Sequence, residues 1–306
     1  MSDVASVRLR VATRGSTLAR WQAEHVVGLL REDEPGLEAE LVVVETQADR
    51  RPEVPIAELG GKGVFAKEVQ TAVLEGRADV ATHSAKDLPS VTPDGLVLAS
   101  VPERGDPRDA LVGAALTQLR ERAVVGTGAL RRRAQLAHVR PDLRFEDLRG
   151  NIATRLRKGQ QFDAIVLAAA ALDRLDESGR IAERLSPDVM LPQVGQGALA
   201  VECGSEDTAT RALLARIEHA PSRQCVDAER GFLAGLGGDC SVPAGAHAVI
   251  DGDQVRVEGV VASPDGRKLL RHEMSGPATA AAALGHSLAS HLLHEQGGAA
   301  LIRLAT

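Results

Sequence analysis

The chain has 306 residues, of which 44% are hydrophobic and 25% charged, with a formal net charge of −6; this composition is typical of a globular protein with two or three domains. Its three cysteines, Cys203, Cys225 and Cys240, contain no Cys-X-X-Cys pair, which argues against a disulfide scaffold or a zinc site and favours a reducing compartment. The residues from Met1 to Arg10 lack the apolar segment of a secretory signal, and no stretch approaches the roughly 18 apolar residues of a membrane span, so we expect a cytoplasmic protein.

The N-terminal third predicts alternating strands and helices. The expected elements are a strand at 7–11, a turn at 13–16, a helix from 17 to 34, a buried strand at 41–44, a mobile loop at 46–63, a helix at 64–75 and a strand at 79–82. The apolar run at 41–44 is typical of a strand buried in a parallel sheet.

The same alternation returns after Pro107. Strands are predicted at 123–125, 143–146 and 165–167, with helices at 130–138 and from Asn151, a suitable N-cap, to 158. Two rounds of this order indicate two doubly wound α/β units.

The pattern changes near residue 222. A helix at 222–236 precedes strands at 246–250, 255–261 and 268–272 and a last Ala-rich helix at 278–300, which together indicate a small α+β domain. The predicted fold is therefore α/β, with domain 1 at 1–103 and 197–217, domain 2 at 104–196 and domain 3 at 218–306. We expect Cys203 and Cys225 to be ordinary core residues of a strand and a helix.

Positive charge is concentrated in one segment of this acidic chain. The segment 127–160 contains eight Arg, one Lys and three acidic residues, a local charge of +6. Several arginines lie at or just after strand-to-helix turns: Arg14, Arg131, Arg132, Arg149 and Arg155. Helix N-termini and guanidinium groups both favour anions, and ligands of open parallel sheets bind at the carboxyl ends of the strands. The alternative is that Asp142, Glu146 and Asp147 neutralise these arginines.

The sequence argues against a nucleotide or a nucleic acid as the bound anion. Gly60-Gly61-Lys62-Gly63 is not a phosphate-binding Walker loop, and Gly126-Thr127-Gly128 lacks the third glycine of the dinucleotide fingerprint. Aromatic residues, which stack on the bases of nucleic acids, make up 2% of the chain.

A series of motifs, collinear from about residue 7 to 245, resembles the porphobilinogen deaminases, also called hydroxymethylbilane synthases. The motifs are Arg10-Val-Ala-Thr-Arg14-Gly-Ser16, Gly60-Gly-Lys-Gly-Val-Phe65, His83-Ser-Ala-Lys86-Asp87, Arg104-Gly-Asp-Pro-Arg-Asp-Ala110, Val125-Gly-Thr127, Leu130-Arg-Arg132, Leu148-Arg-Gly-Asn151 with Thr154-Arg155, Leu191-Pro-Gln-Val-Gly-Gln-Gly-Ala198, and the segment Gly237 to Pro243.

The resemblance implies a transferase of tetrapyrrole (haem, chlorophyll and corrin) biosynthesis. Such an enzyme joins four porphobilinogen molecules head to tail, loses ammonia each time, and releases hydroxymethylbilane with water. It also implies periplasmic-binding-protein-like α/β domains, a monomer, no membrane or nucleic-acid partner, and a dipyrromethane cofactor attached covalently through Cys240. Each pyrrole carries an acetate and a propionate, so clustered arginines would have a ligand of matching charge in a gap between domains.

The resemblance also assigns roles to residues. Asp87 is the expected catalytic group, assisted by Lys86. The expected cofactor-binding residues are Cys240, Arg131, Arg132, Ser16, Thr127, Lys86 and Asp87. The expected substrate-binding residues are Arg14, Arg149, Arg155, Arg174, Gln196 and Lys62.

Gly128 and Ala129 depart from the family, which usually has serines there. Two other functions are compatible with parts of the sequence. A non-enzymatic two-domain α/β clamp for a small carboxylate would explain the arginines but not Cys240 or Lys86-Asp87. An RNA-binding protein would use the basic segment but lacks aromatic residues for stacking.

Overall fold

A computed structural model describes residues 8–50, 63–237 and 242–303. The chain divides into two compact units, the first formed by Met1–Arg104 with Ala198–Arg223 and the second by Gly105–Gly197 with Gln224–Thr306. The division into three domains stays a prediction.

The first part of the chain forms most of unit 1. Its elements are β1 (Arg8–Arg14), α1 (Thr17–Asp33), β2 (Glu38–Val44), α2 (Gln47–Arg50), α3 (Lys67–Leu74), β3 (Val80–Ser84), a 3-10 helix (Ala85–Asp87) and β4 (Leu96–Ser100).

The middle of the chain forms the α/β part of unit 2. Its elements are β5 (Asp109–Val112), a 3-10 helix (Leu116–Gln118), β6 (Val124–Gly126), α4 (Leu130–Val139), β7 (Arg144–Glu146), α5 (Ile152–Gly159), β8 (Ala164–Ala168), α6 (Ala169–Arg174), a 3-10 helix (Ser178–Arg180) and β9 (Ile181–Arg184).

The remainder returns to unit 1 and then completes unit 2. Its elements are β10 (Leu199–Gly204), α7 (Thr208–Leu214), a 3-10 helix (Ala215–Ile217), α8 (Ala220–Gly235), β11 (Ala244–Asp251), β12 (Gln254–Ala262), β13 (Leu269–Pro277), a 3-10 helix (Ala278–Ala280), α9 (Ala281–Ser290), a π-helix (His291–Glu295) and α10 (Gly298–Arg303).

The sheet of unit 1 has the strand order β2-β1-β3-β10-β4. Strand β1 is parallel to β2 and β3, whereas β10 runs antiparallel to β3 and β4. Both faces are covered, because Val11 packs in one cluster with Val26 of α1 and its neighbour Ala12 packs in another with Val69 of α3. The carboxyl ends of β1 and β3 therefore lie side by side.

The larger sheet of unit 2 has a similar plan, with the order β7-β6-β8-β5-β9. Strand β6 is parallel to β7 and β8, and β5 is antiparallel to β8 and β9. The register pairs Asp109, the first residue of β5, with Ala168, the last residue of β8. Asp109 thus lies at the edge of the sheet where the parallel strands end.

The C-terminal part of unit 2 is an antiparallel sheet, β11-β12-β13, covered by α8 and α9. Phe232 of α8 is fully buried in its core. Gly285 allows α9 to approach α8, since a β-carbon there would overlap the carbonyl oxygen of Ala228.

The structure confirms the predicted fold class and corrects it locally. The predicted loop at 46–63 contains the short helix α2, and residues 51–62 lie outside the described range. The predicted single helix at 278–300 is wrong: it begins as a 3-10 turn, widens to a π-helix, and ends before α10 at Gly297, whose φ is +78°. None of the helices within the described ranges combines the length and apolar character needed to cross a membrane.

Candidate active site

A pocket of about 50 Å³ lies in unit 1 where β1 and β3 end. Because these strands are parallel neighbours, the residues that follow them meet at one edge of the sheet. The pocket joins Arg14, Ser16 and Asp87, all predicted from sequence, with Phe65 and His83. The other lining residues are Leu18, Ala19, Gln22, Thr82 and Ser84.

Arg14 supplies positive charge to this pocket. It is the last residue of β1, and its guanidinium carbon lies 4.4 Å from the centre of the Phe65 ring. A cation over an aromatic face gains about 0.5–2 kcal/mol, depending on its exposure to water. Phe65 therefore helps to fix the direction of a guanidinium group that can bind a carboxylate.

Ser16 has a structural role in the same pocket. It is the N-cap of α1, and its hydroxyl oxygen accepts a hydrogen bond from the backbone N–H of Ala19 at 3.3 Å. The hydroxyl hydrogen can still be donated to a ligand oxygen.

Asp87 brings a carboxylate next to these donors. It ends the 3-10 helix that follows β3 directly, and Pro89 prevents the chain from continuing as a regular helix. Asp87 and its neighbour Lys86 are both half-buried. Asp87 lines the pocket, so a carboxylate and a guanidinium face one small volume.

Buried polar contacts support the end of β3. Gln22 donates to the hydroxyl of Ser84 at 2.8 Å. Behind the strand, the carboxylate of Glu202 accepts from Gln70 at 2.8 Å and lies 3.2 Å from Nε2 of His83. The side chains of His83 and Glu202 are 3% and 1% exposed, and their contact is a close approach of buried polar atoms without hydrogen-bond geometry.

In unit 2, Arg131 and Arg132 converge on Asp109. Arg131 donates from Nη1 to Asp109 at 2.7 Å, and Arg132 donates from Nε and Nη2 at 2.9 and 2.7 Å. Gln196 adds a hydrogen bond to the same carboxylate at 3.0 Å. Asp109 and Gln196 are fully buried, and the two arginines are 5% and 6% exposed.

The electrostatics of this cluster follow from its burial. Burial alone would raise the pKa of Asp109, but the charges of Arg131 and Arg132, with the hydrogen bonds from Arg131 and Gln196, hold it well below its usual range. Burial also lowers the pKa of Arg131, against the opposing effect of Asp109. The carboxylate is thus ionised whenever the unit is folded near neutral pH.

Backbone carbonyl groups complete the positioning of the two arginines. Arg131 donates to the carbonyl of Leu191 at 2.6 Å, and Arg132 to that of Val166 at 3.0 Å. The segment around Leu191 is in turn docked on β11, where the N–H of Ala246 donates to Pro192 at 3.1 Å. Strand β11 therefore supports Arg131 through residues 191 and 192.

Other predicted residues lie at the same sheet edge of unit 2. Thr127, just after β6, is buried, and its hydroxyl accepts from the N–H of Ala129 at 3.3 Å. Arg149 follows β7 and pairs with Asp147 at 3.2 Å. Arg155, in α5, donates to the carbonyl of Gly150 at 2.7 Å.

Arg174 lies at the end of α6, which follows β8 in unit 2. It donates from Nη2 to the carbonyl of Gly197 at 2.6 Å. Burial lowers the pKa of Arg174 to about 10, although Asp173 opposes this shift. The group stays charged at neutral pH.

Neutralisation by nearby acids, the alternative to ligand binding, explains only some of the arginines. Arg149 does pair with an acid of its own segment, Asp147. Arg131 and Arg132 pair instead with Asp109, which lies 22 and 23 residues earlier in the chain. Asp109 lies within the motif Arg104-Gly-Asp-Pro-Arg-Asp-Ala110, but nothing in its spacing along the chain indicates a role for it.

Gly128 and Ala129 stand where the family usually has serines, and the space beside Gly128 is limited. A β-carbon on Gly128 would lie 3.3 Å from the carbonyl oxygen of Leu148. The backbone N–H of Ala129 is engaged by Thr127, as described above, so the turn is held together without the serine hydroxyls.

The two cysteines that the structure describes are core residues, as predicted. Cys203 in β10 and Cys225 in α8 are buried, and burial raises the pKa of Cys203 to about 11. Cys240 and Lys62 lie outside the described residues, so their predicted roles stay predictions.

Two family models match this chain. A family model described as porphobilinogen deaminase, dipyromethane cofactor binding domain, matches residues 9–212. A second, porphobilinogen deaminase, C-terminal domain, matches residues 223–294.

Curated relatives match over almost the whole chain. The porphobilinogen deaminase of Syntrophotalea carbinolica is 48% identical over 295 residues, covering 95% of this chain and 94% of that protein. That of Nitratidesulfovibrio vulgaris is 46% identical over 301 residues and covers 95% of both. Among solved structures, a periplasmic binding protein of Salmonella typhimurium with high arginine specificity is 14% identical with a TM-score of 0.38, over 68% of this chain and 90% of that one. On the family models and the identities with the two curated relatives, this chain belongs to the porphobilinogen deaminase family.

Proposed function

We propose that the chain condenses four porphobilinogen molecules head to tail and releases the linear tetrapyrrole hydroxymethylbilane with water, which makes it a transferase of tetrapyrrole biosynthesis. The observation that carries the proposal is the pocket of unit 1, where the carboxylate of Asp87 and the guanidinium of Arg14 face one volume. Membership of the family supports the same reaction. Family membership does not favour the alternative function, a non-enzymatic two-domain clamp for a small carboxylate.

The described residues fit a dipyrromethane cofactor, whose acetate and propionate groups are anionic. Arg131 and Arg132 together carry one more charge than Asp109 neutralises, and they are almost fully buried. When bound, the cofactor supplies the pyrrole carbon to which the first substrate is joined. We assign Cys240 as its covalent attachment and Ser16, Thr127, Lys86, Asp87 and the two arginines as its ligands.

Asp87 provides the chemistry that the reaction requires. When the C–N bond of the aminomethyl group breaks, ammonia leaves and positive charge spreads over the pyrrole ring and its N–H. A carboxylate that accepts a hydrogen bond from this N–H stabilises the charge as it develops. A new C–C bond then forms, and the attacked ring carbon loses the proton that balances the one taken up by the leaving amine.

Arginines bind the carboxylates of the substrate. Arg14 is held against Phe65 in the pocket of Asp87, and guanidinium groups bind carboxylates with two parallel hydrogen bonds. We assign Arg149, Arg155, Arg174, Gln196 and Lys62 to substrate binding as well. Of these, Arg149 forms a surface pair with Asp147, whose side chain is the more exposed of the two, and a ligand carboxylate can replace Asp147 at little cost.

Replacement of Asp87 by Asn tests the catalytic assignment. Asp87→Asn keeps the shape of the side chain but removes its charge, so we expect full cofactor mass and a turnover lowered by about 100-fold or more, the scale of losing one preorganised electrostatic group. Asp94→Asn is the matched control, because Asp94 is exposed in the same unit. Wild-type turnover in Asp87→Asn would remove Asp87 from the mechanism.

We further propose that the protein acts as a cytoplasmic monomer with no membrane or nucleic-acid partner. The low cysteine content, with no Cys-X-X-Cys pair, is compatible with a reducing compartment. Cell fractionation tests the cytoplasmic location. Light scattering on the purified chain tests the oligomeric state, and a dimer mass would contradict the monomer.

A further inference from the structure

The Asp109 cluster, formed by Asp109, Arg131, Arg132 and Gln196, contains more positive than negative charge. Two guanidinium groups face one carboxylate, which gives the cluster a net charge of +1. Within the described residues, Asp109 is the acid that the side chains of both arginines contact. A net positive charge in a cluster that is almost fully buried favours the binding of one more anion.

The two arginines use their donors differently. Arg132 is engaged through all three nitrogens, Nε and Nη2 on Asp109 and Nη1 on Val166. Arg131 is engaged through Nη1, which serves both Asp109 and Leu191. Among the described residues, Nε and Nη2 of Arg131 make no hydrogen bond. The unused donors therefore lie on Arg131.

We propose that Asp109 is a positioning residue for cofactor binding: it forms a fixed neutral pair with Arg132 and thereby leaves the charge and the unused donors of Arg131 for a single ligand carboxylate. This inference rests on the proposed function. It refines the assignment of both arginines to the cofactor: Arg131 contacts the ligand carboxylate directly, and Arg132 acts through Asp109.

The proposal predicts that cofactor content follows the charge of the cluster. Arg131→Gln removes the anion receptor, so we expect little or no cofactor. Arg132→Gln lets Asp109 neutralise Arg131, and the loaded fraction should fall at least tenfold. Asp109→Asn combined with Arg132→Gln returns the net charge to +1 and should restore loading to within about threefold of wild type.

The readout is the fraction of purified chain that carries the added mass of a dipyrromethane in intact-protein mass spectrometry, with circular dichroism to confirm folding. Arg133→Gln is the matched control, because Arg133 is exposed on the same helix. A folded double variant that loads as poorly as Arg132→Gln would overturn the proposal. So would full loading in Arg132→Gln.

A further variant decides the case if the double variant fails to fold. Arg132→Lys keeps the cluster charge at +1, so it should load within about threefold of wild type, and a tenfold loss would overturn the charge argument. Failure of the proposed function is distinguishable, because wild type itself would then lack the added mass. Failure of this inference alone leaves wild type loaded and the double variant empty.

Discussion

Gly245 lies at the contact between β11 and the segment that supports Arg131, so a methyl group there tests how that arginine is placed. In Gly245→Ala, the new β-carbon would lie 2.7 Å from the carbonyl oxygen of Pro192, 2.9 Å from that of Leu191 and 3.0 Å from Cδ of Arg131. The carbonyl of Leu191 is also the acceptor for Arg131. The substitution therefore presses on the arginine and on its anchor at once.

The size of the effect follows from these distances. Normal contacts between carbon atoms are about 3.5–4.0 Å, so the backbone of β11 or of residues 191–192 must move by roughly half an ångström. Overpacking of this kind costs about 1–3 kcal/mol. For a unit of this size, such a loss lowers the melting temperature by roughly 2–12 °C.

The assay for Gly245→Ala combines urea unfolding with intact mass. We expect a loss of about 1–3 kcal/mol in the free energy of unfolding, together with a lower cofactor content. Gly276→Ala in β13 is the control, because its β-carbon would meet Leu284 at ordinary distances of 3.4 and 3.7 Å. A Gly245→Ala protein with wild-type stability and full cofactor content would refute this account of how Arg131 is supported.

Two further predictions follow from the pKa shifts. Burial raises the pKa of Cys203 to about 11, so iodoacetamide should modify this thiol at about pH 8.5 only after urea unfolds the chain, and rapid modification of the folded protein would contradict its burial. The pKa of Asp109 is lower in the folded protein than in the unfolded chain; its stabilising contribution is therefore complete above about pH 4 and is lost as the pH falls below that value. The free energy of unfolding of Asp109→Asn should fall less steeply below about pH 4 than that of wild type, and identical slopes would show that Asp109 is not the group responsible.

The fold was predictable wherever periodicity and turn residues agreed. The helix after Ser16 and the strand at 41–44 are both present, as α1 and β2. The predicted burial of 41–44 is wrong, because β2 lies at the edge of its sheet and Val43 is 45% exposed. Strands β5 and β9 were not predicted, because each has four residues and β5 begins with a buried aspartate rather than an apolar residue. Their place in the sheet depends on pairing with each other and with β8, which no local pattern encodes.

The candidate site was predictable where it depends on parallel strands. Arg14 ends β1, and the rule that ligands bind at the carboxyl ends of such strands predicted its place in a site. Asp87 was assigned by the family resemblance, and it lines the same pocket because its 3-10 helix follows β3 directly. The same rule could not predict Asp109, because Asp109 begins an antiparallel strand. Its register with β8 places it at the edge where the parallel strands of unit 2 end. The pair of His83 and Glu202 was missed for a similar reason, since β10 joins the sheet from far along the chain.

The most direct test of the whole account is the intact mass of the purified protein beside that of Cys240→Ser, with Cys225→Ser as the control thiol variant. Wild type and Cys225→Ser should each exceed the mass of their sequence by one dipyrromethane, while Cys240→Ser should match its sequence. A wild-type chain with the bare sequence mass, or an added group that survives in Cys240→Ser, would contradict the covalent pyrrole primer on which the proposed reaction depends.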